Sequence, residues 1–425
     1  MLLLLSLVLS GFILSASMFP LRAASTGWSQ TYGGAKDDKA TCVIQTSDGG
    51  YVIAGVTSSF GAGGDDFWIV KTDASGNMQW NQTYGGPEND QAAKIIQTGG
   101  GGYAIIGTTW SYGDGESDIW LIKTDSSGNR QWDKTYGETK DDTAASVVQT
   151  ADGGYALAGT IGFEERAMDF VFFRTDASGN VLWGGPSTLG PGDEIAADMT
   201  AINEEKYVSV GFGDNHSIFV SILESGDWMG IEDQGATQHP LSIIGTGDKS
   251  CEAAGYVQVE EGNRDFCLTS AVEFEVSQFG TTYWSIANTA TYGGPEKEEA
   301  FSLVQADDGG YALAGYTESS GNGGRDYWLV KTDADGNMQW NQSYGGTGTD
   351  EARSLVQASD GGYVLAGFAD SYGAGGKDFW LVRTDENGVV PEFPTPILVP
   401  LFVSLITIAV LVHKRRSSKS HVNSV

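Results

Sequence analysis

The sequence is poor in cysteine and histidine, the residues that most often build metal and catalytic centres. Its three cysteines are Cys42, Cys251 and Cys267, and none stands in a Cys-x-x-Cys arrangement, so zinc-ribbon and thioredoxin chemistry have no support. Of four histidines, only His216 and His239 precede the last thirteen residues. They are too few for a His-rich metal centre and argue against a His-based catalytic triad.

Positive charge is also scarce. The chain has 24 Lys and Arg against 55 Asp and Glu, a net charge of −31. The last thirteen residues hold four of the basic residues and no acidic one, so the part before them carries 20 − 55 = −35. Such a polyanion excludes nucleic acid and anionic lipid as partners and leaves cations and basic proteins. A plain role in solubility explains the same charge.

Glycine and aromatic residues are abundant, and they mark an internal repeat. Glycine supplies 60 of the 425 residues, and aromatics make up 11%. A tyrosine recurs in a register of 52 residues, with one position skipped, at Tyr51, Tyr103, Tyr155, Tyr207, Tyr311 and Tyr363. The motif Trp-x-x-x-Tyr-Gly recurs in the same phase from Trp28, Trp80, Trp132 and Trp340.

Each repeat has the pattern of four short strands separated by Gly, Asp and Asn turns. Their apolar residues fall on consecutive positions, which favours burial on both faces, as in stacked propeller blades. Seven three-strand groups are predicted, with first strands near Ala40, Ala92, Ala144, Ala196, Glu252, Ala300 and Ala352. The last group lacks a fourth strand, and an unmatched strand, Trp28 to Tyr32, precedes the first group. We predict an all-β, seven-bladed propeller over residues 25–389, closed by this N-terminal strand.

Two repeat families have similar motifs. The segment from Asp73 through Gly76 to Trp80 resembles the tryptophan hairpin of pyrroloquinoline-quinone (PQQ) type propellers. The Val52-Ile-Ala-Gly55 stretch followed by Trp80 is similar to kelch repeats. Both resemblances imply a propeller fold and carry over no catalytic residue.

The two ends predict export and anchoring. Residues 1–24 form an apolar run followed by small residues, typical of a signal peptide. Residues 397–412 are apolar and predict a transmembrane helix, and the basic tail 413–425 places the propeller outside the cell. Between them, residues 390–396 contain Pro391, Glu392, Phe393 and Pro394, which resemble a PEF-type archaeal sorting signal. That resemblance implies an archaeosortase-like enzyme that exchanges the helix for another anchor.

Acidic residues recur before the first and third strands of the blades. Since both kinds of loop lie on one face of a propeller, paired carboxylates there predict a ring able to hold calcium or to attract cationic partners. Asp residues also open turns and cap loop amides, which explains the repetition without a ligand. The candidate calcium ligands are Asp38, Asp66, Asp90, Asp118, Asp142, Asp326, Asp350 and Asp378.

Residues 188–291 keep the repeat phase but lose its markers, which indicates either drift or a specific binding surface on two divergent blades. The candidate ligand contacts in them are Trp228, His239, Phe279, Tyr283 and Trp284. The same region places Cys251 and Cys267 on a hairpin, where a disulfide is one option, although they are not directly opposed.

Three Asn-x-Ser/Thr sequences are acceptors for N-glycosylation in an exported chain, at Asn81, Asn215 and Asn341. The sequence as a whole favours a non-catalytic surface module that binds protein or glycan, in adhesion or in the envelope. The alternative is an exported propeller enzyme, a quinone-dependent dehydrogenase or a polysaccharide hydrolase or lyase.

Overall fold

The computed structural model describes residues 27–390, except 164–167, 188–191, 214–215, 227, 236–237, 248, 261–262 and 277–280. These residues form 28 strands in seven four-stranded antiparallel sheets. The part of the chain so described contains no helix with the length and hydrophobicity needed to cross a membrane. The predicted signal peptide, sorting motif, transmembrane helix and basic tail lie outside it.

The first three blades follow the chain in order. Blade 1 comprises β2 (Asp38–Gln45), β3 (Tyr51–Thr57), β4 (Asp66–Thr72) and β5 (Met78–Tyr84). Blade 2 comprises β6 (Asp90–Gln97), β7 (Tyr103–Thr109), β8 (Asp118–Thr124) and β9 (Arg130–Tyr136). Blade 3 comprises β10 (Thr143–Gln149), β11 (Tyr155–Ile161), β12 (Asp169–Thr175) and β13 (Val181–Ser187).

Blades 4 and 5 are the divergent ones, and blades 6 and 7 return to the regular pattern. Blade 4 comprises β14 (Glu194–Asn203), β15 (Lys206–Gly213), β16 (His216–Leu223) and β17 (Trp228–Gly235). Blade 5 comprises β18 (Gln238–Gly247), β19 (Ser250–Glu260), β20 (Asn263–Val276) and β21 (Thr281–Tyr292). Blade 6 comprises β22 (Glu298–Gln305), β23 (Tyr311–Thr317), β24 (Asp326–Thr332) and β25 (Met338–Tyr344). Blade 7 comprises β26 (Asp350–Gln357), β27 (Tyr363–Ala369), β28 (Asp378–Arg383) and β1 (Trp28–Tyr32).

The N-terminal strand closes the ring, as the strand count predicts. Strand β1 pairs antiparallel with β28, from Trp28 opposite Arg383 to Tyr32 opposite Phe379. The seventh sheet therefore takes its fourth strand from the opposite end of the propeller sequence. Closure gives blade 7 its fourth strand, and blade 7 packs against blade 1 around Trp68, Phe379 and Leu381.

Burial follows strand position within each blade. Every residue of β7 and of β23 is buried, and so are those of β4 and β24. The outer strand β5 is mostly exposed and buries only its last residue, Tyr84. Apolar clusters form between neighbouring blades, so the second and third strands bury both faces and read as continuous apolar runs.

The tyrosine of the Trp-x-x-x-Tyr-Gly motif joins blades 1, 2, 6 and 7 to the next blade, and Tyr292 of blade 5 does the same without the tryptophan. The Tyr84 hydroxyl donates to the carbonyl oxygen of Gly128, which lies in the hairpin turn between β8 and β9. Gly128 has φ of +79°, and a Cβ there would lie 2.8 Å from the Trp80 ring, so both conformation and contact require glycine. The same tyrosine bond recurs four times, from Tyr32 to Gly76, Tyr136 to Gly179, Tyr292 to Gly336 and Tyr344 to Gly388.

Blade 5 corrects one prediction of strand position. Its first strand begins at Gln238, and Glu252, predicted near the start of that strand, lies in the second strand. The 52-residue register misplaces it because the strands here run to 14 residues in place of the usual seven. Cys251 and Cys267 do flank the β19–β20 hairpin, but both are free. Cys251 pairs with Ala271 and Cys267 with Gly255, an offset of four residues, which is too long for a disulfide.

Candidate functional site

The eight aspartates predicted to hold calcium lie on one face of the ring, here called the top face, where the loops into the first and third strands meet. None of the eight is more than 3% exposed, so they do not form an open acidic surface. They accept hydrogen bonds from loop amides, as in Gly34 N to Asp38 Oδ2 at 2.7 Å and Ala62 N to Asp66 Oδ2 at 2.7 Å. The turn-capping interpretation therefore accounts for their recurrence.

The buried carboxylates meet in pairs at the blade junctions. At the junction of blades 1 and 2, a Cβ on Gly85 would lie 1.6 Å from Asp66 Oδ1 and 2.9 Å from Asp90 Oδ2. The glycine after the tyrosine therefore has no side chain because two carboxylates occupy the space where its Cβ would lie. The same arrangement surrounds Gly33, Gly137, Gly293 and Gly345.

Burial changes the titration of these acids. It raises the pKa of Asp66, Asp118, Asp326 and Asp378, and it raises the pKa of Asp142 to about 6. One carboxylate oxygen has no hydrogen-bond partner among the described residues in each of Asp66, Asp326, Asp378 and Asp265. Asp265 occupies this position in blade 5, and it was not among the predicted calcium ligands.

The carboxylate pairs are the residues that would hold a calcium ion. Each junction supplies two acids, and within the described residues no cluster of three or more Asp, Glu, His or Cys could hold a metal. Calcium prefers six to eight oxygen ligands, so backbone carbonyls or water would have to supply the others. Calcium binding thus stays a prediction.

The predicted ligand contacts of the divergent blades have different fates. Trp284 is 0% exposed and packs with Val208, Phe219 and Ile243 between blades 4 and 5, so its prediction as a surface contact is wrong. Trp284 lies in the long strand β21, and its indole ring is part of the core between the two blades. Trp228 and Tyr283 lie in β17 and β21, but their side chains, like the whole of Phe279, lie outside what the structure describes.

His239 is half-buried at the top face, and it is the one predicted contact that joins a larger cluster. Its imidazole stacks on Tyr256, with 4.6 Å between ring centroids and 17° between planes. The Arg264 guanidinium also lies over the Tyr256 ring, 4.3 Å from its centroid. It is ion-paired with Glu299 of blade 6. Burial, with Arg264 adding to it, lowers the pKa of His239, which favours the neutral imidazole.

The same arrangement repeats at the next junction. Arg325 lies 4.1 Å from the Tyr316 ring centroid and pairs with Glu351 of blade 7 at 2.6 Å and with Glu318 at 2.9 Å. Burial alone would lower the pKa of Arg325, but the bonds to these two carboxylates raise it. Each guanidinium is thus fixed between an aromatic ring below and a carboxylate beside it.

The cluster reaches the mouth of the central channel. Arg353 pairs with Glu351 and lies 3.9 Å from the ring centroid of Phe301, which lines the channel. At the junction of blades 7 and 1, Lys377 Nζ lies 4.3 Å from the Phe368 centroid. We call this set the cation–aromatic arc: His239, Tyr256, Arg264, Glu299, Phe301, Tyr316, Glu318, Arg325, Glu351, Arg353, Phe368 and Lys377.

The arc breaks the symmetry of the ring. At the second-strand position held by Tyr256, Tyr316 and Phe368 in blades 5 to 7, blades 1 to 3 carry Val56, Thr108 and Thr160. Arg264, Arg325 and Lys377 each stand immediately before the aspartate of the third strand, where blades 1 to 3 carry Asp65, Ser117 and Met168. These aromatic and basic residues are visible in the sequence when the repeats are compared position by position, whereas the markers shared by all repeats do not show them.

The central channel, a cavity of about 620 Å³, contains a second asymmetric group. Lys94 Nζ donates to Ser146 Oγ at 2.9 Å and pairs with Asp198, and Ser146 Oγ donates to Asp198 Oδ1 at 2.9 Å. These three residues come from the first strands of blades 2, 3 and 4. They link three blades across the channel wall.

The predicted glycosylation acceptors lie on outer strands where the structure describes them. Asn81 accepts a hydrogen bond from the Trp68 indole nitrogen at 3.2 Å, and Asn341 does the same for Trp328. This shared role explains why the two copies carry the same residue. Asn215 lies outside the described residues.

Comparisons with known proteins agree with the fold and go no further. No family model matches the sequence, and no curated protein matches it. The WD40 domain of Pan2 from Neurospora crassa is 11% identical with a TM-score of 0.50, over 83% of this chain and 90% of that one. A puromycin hydrolase is 11% identical with a TM-score of 0.51, over 85% of this chain and 55% of the hydrolase. The polysaccharide lyase Uly1 is 8% identical with a TM-score of 0.48, over 84% and 91%. At such low identity the similarities to the Pan2 domain and to the hydrolase support the propeller fold alone.

Proposed function

We propose that this protein is an exported, surface-anchored propeller that binds a glycan of the cell envelope on the cation–aromatic arc and does not catalyse a reaction. The observation that carries the proposal is the asymmetry of the arc. A ring of near-identical blades has no reason to gather three arginines and four aromatic rings on one side unless that side meets something the other side does not.

The chemistry of the arc suits a ligand rich in hydroxyl groups. The side chains of Arg264, Arg325 and Arg353 are 35–38% exposed, and each is already paired with a carboxylate. Paired guanidinium and carboxylate groups offer fixed donors next to fixed acceptors, which is what vicinal hydroxyls need. Half-buried Tyr256 and Phe301, whose ring faces are covered by His239, Arg264 and Arg353, add apolar ring edges beside these polar groups.

Charge favours a neutral ligand over a strongly charged one. The three arginines pair with Glu299, Glu318 and Glu351, and Lys377 is the fourth cation, so the arc is close to neutral in a chain of net charge −31. A basic protein partner would instead be attracted to the acidic remainder of the surface. Protein binding is the second candidate and is an outcome of the test below.

Export and anchoring rest on the terminal segments. The signal peptide, the transmembrane helix and the Pro391 to Pro394 sorting motif together support a surface location, and the kelch and PQQ resemblances fit a binding propeller. Mass spectrometry of the mature protein tests the anchoring. Loss of the residues after the sorting motif supports exchange of the helix, and an intact 413–425 tail contradicts it.

A paired substitution tests the arc without leaving a charge unpaired. In Arg264→Ser/Glu299→Gln, both new residues occur at the same repeat positions in blade 2, as Ser117 and Gln91. We expect at least about tenfold weaker binding to envelope polysaccharide, about 1.4 kcal/mol. The matched control is Lys140→Ser/Glu116→Gln, which removes an exposed ion pair outside the arc.

The outcome of this test is read on polysaccharide fractions and on envelope proteins separately. Equal binding by the arc variant and the control contradicts the site. Loss of protein binding with no polysaccharide binding in any form would contradict the glycan and favour the protein candidate.

The enzyme alternative depends most on Lys94, Ser146 and Asp198. Ser146 is 0% exposed, and Lys94 donates in an ion pair, whereas a base that activates a serine must accept a proton. This geometry favours a structural link over catalysis. Turnover on a glycan panel, or the absorbance of a bound quinone, would support the alternative.

A further inference from the structure

The loop between the first and second strands of blade 2 lacks an acid that four other blades carry. Asp48, Asp152, Asp308 and Asp360 stand two residues before the second strand's glycine in blades 1, 3, 6 and 7. Each pairs with a buried Lys or Arg of the third strand. In blade 2 the residue is Gly100, within the run Gly99 to Gly102.

Blade 1 shows what the acid does. Asp48 accepts hydrogen bonds from Thr46 Oγ and from Gly50 N at 3.0 Å, and it pairs with Lys71 Nζ at 2.9 Å. The bond from Thr46, together with those from Lys71 and Gly50, lowers the pKa of Asp48 to about 2. These three donors therefore form a socket that prefers an ionised carboxylate.

Blade 3 repeats the socket with a different cation. Asp152 accepts from Thr150 Oγ at 2.6 Å and from Gly154 N at 3.0 Å, and it pairs with Arg174 at 2.7 Å. Its pKa is also lowered to about 2, with the bond from Thr150 as the largest cause. Two independent copies thus bind a carboxylate in the same way.

In blade 2 the donors are present and the carboxylate is missing. Thr98, Gly102 and Lys123 occupy the positions of Thr46, Gly50 and Lys71. Thr98 is 4% exposed, and its Oγ has no hydrogen-bond partner in the part of the chain that the structure describes. Lys123 Nζ keeps a bond to Thr124 O at 2.6 Å, and burial lowers its pKa.

We propose that blade 2 binds the carboxylate group of a small organic acid, held by Thr98 Oγ, the Gly102 amide and the Lys123 ammonium where Asp48 sits in blade 1. The site lies on the bottom face, away from the cation–aromatic arc, so it is independent of the proposed glycan binding.

The surroundings leave room for such a ligand. A cavity of about 380 Å³ opens beside Gly100, and a Cβ on that glycine would meet nothing within 4 Å. The other charged residue of its lining is Asp125, whose carboxylate already accepts bonds from Ser127 and Asn129. Because the whole chain is a polyanion, a weak general attraction for anions does not explain binding here.

The test uses the full-length protein and acetate as the probe. Saturation-transfer NMR should detect acetate binding with a Kd of roughly millimolar size, as expected for so few atoms. Melting temperature should rise in sodium acetate relative to sodium chloride at equal ionic strength. Gly100→Asp supplies the carboxylate from the chain, so it should melt higher than the wild type and lose the acetate response.

Asp48→Gly provides the converse test, because it opens a second socket beside Lys71. We expect a lower melting temperature and a larger rise with acetate than in the wild type. An equal acetate response in the wild type and Gly100→Asp, or none in Asp48→Gly, overturns the proposal. If Gly100→Asp does not fold, Lys123→Met serves in its place and must weaken acetate binding at least about tenfold.

Discussion

The junction between the two divergent blades is held together by other means than the regular junctions. Regular junctions use a tyrosine bond to a turn glycine and a buried carboxylate pair, as at Tyr84 with Gly128. The junction of blades 4 and 5 instead uses the ion pair of Lys206 with Glu273, at 2.6 Å, and an extended β20–β21 hairpin. The repeat sequence is preserved at the junctions where the short tyrosine–glycine motif connects two blades. It is lost at the junction where longer strands replace that motif.

This difference also separates structure from recognition. The aromatic positions of the cation–aromatic arc begin in divergent blade 5 and continue through regular blades 6 and 7. Blades 6 and 7 therefore carry arc residues at their repeat positions while keeping the regular four-strand pattern. Divergence of the backbone and specialisation of the surface are two separate changes, and only the second marks the candidate site in blades 6 and 7.

The largest expected effect breaks a regular junction at its glycine. Gly85→Ala places a Cβ 1.6 Å from Asp66 Oδ1, and Asp66 is buried and bonded to the Ala62 amide, so we expect a loss of about 4 kcal/mol or more in the free energy of unfolding. The control is Gly185→Ala in β13, where a Cβ meets nothing within 4 Å. Chemical denaturation measures both, and equal losses would contradict the role of the junction glycine.

The next effect breaks the divergent junction. Lys206→Ala leaves Glu273, whose side chain is 2% exposed, without its cation, and we expect a loss of about 3–4 kcal/mol. Lys140→Ala, at an exposed ion pair, should cost under about 1 kcal/mol. If denaturant midpoints shift equally, the ion pair does not hold blades 4 and 5 together.

A smaller effect removes one tyrosine bond. Tyr84→Phe leaves the buried carbonyl of Gly128 unpaired and should cost about 1–2 kcal/mol. Tyr112→Phe removes a bond of the same kind, from an exposed hydroxyl to Gly85 O at 2.9 Å, where water can replace it. A cost for Tyr112→Phe as large as that for Tyr84→Phe would contradict the proposed dependence on burial.

The last effect appears only as a function of pH. Because the pKa of Asp142 is raised to about 6, the folded state binds more protons than the unfolded state between about pH 4 and pH 6. Its contribution to stability therefore increases as pH falls through this window. Melting temperatures of the wild type and Asp142→Asn should diverge on acidification, with the variant gaining less, whereas parallel curves would rule out this linkage.

Sequence reasoning recovered the architecture because the repeat exposes it. Glycine, tyrosine and tryptophan at fixed spacing indicate turns and inter-blade contacts, and an unmatched strand before the first group with a missing strand in the last group implies closure. It misplaced the first strand of blade 5, since longer strands shift the register without changing the total length. It also read the aspartates as a potential surface feature, because periodicity does not tell a buried cap from an exposed ligand.

The candidate site was harder to predict than the fold. His239 was identified from the loss of repeat markers, but its partners Tyr256, Arg264 and Glu299 come from three different strands of two blades. Strand pairing places Tyr256 opposite His239, and the packing of blade 6 against blade 5 brings Glu299 to Arg264. The arc and the blade 2 socket both consist of departures from the repeat, so they are visible when each copy is read as a variant of its sisters.

Closure of the ring requires β1, near the start of the chain, to pair with β28, the last strand of the propeller. Trp28 pairs with Arg383, 355 residues later, so the first strand to leave the ribosome is among the last to find its partner. Contacts of such long range form slowly. A chain that stops before blade 7 leaves one face of blade 1 uncovered and β1 unpaired. The closed ring therefore forms only after the residues through Arg383 have been made.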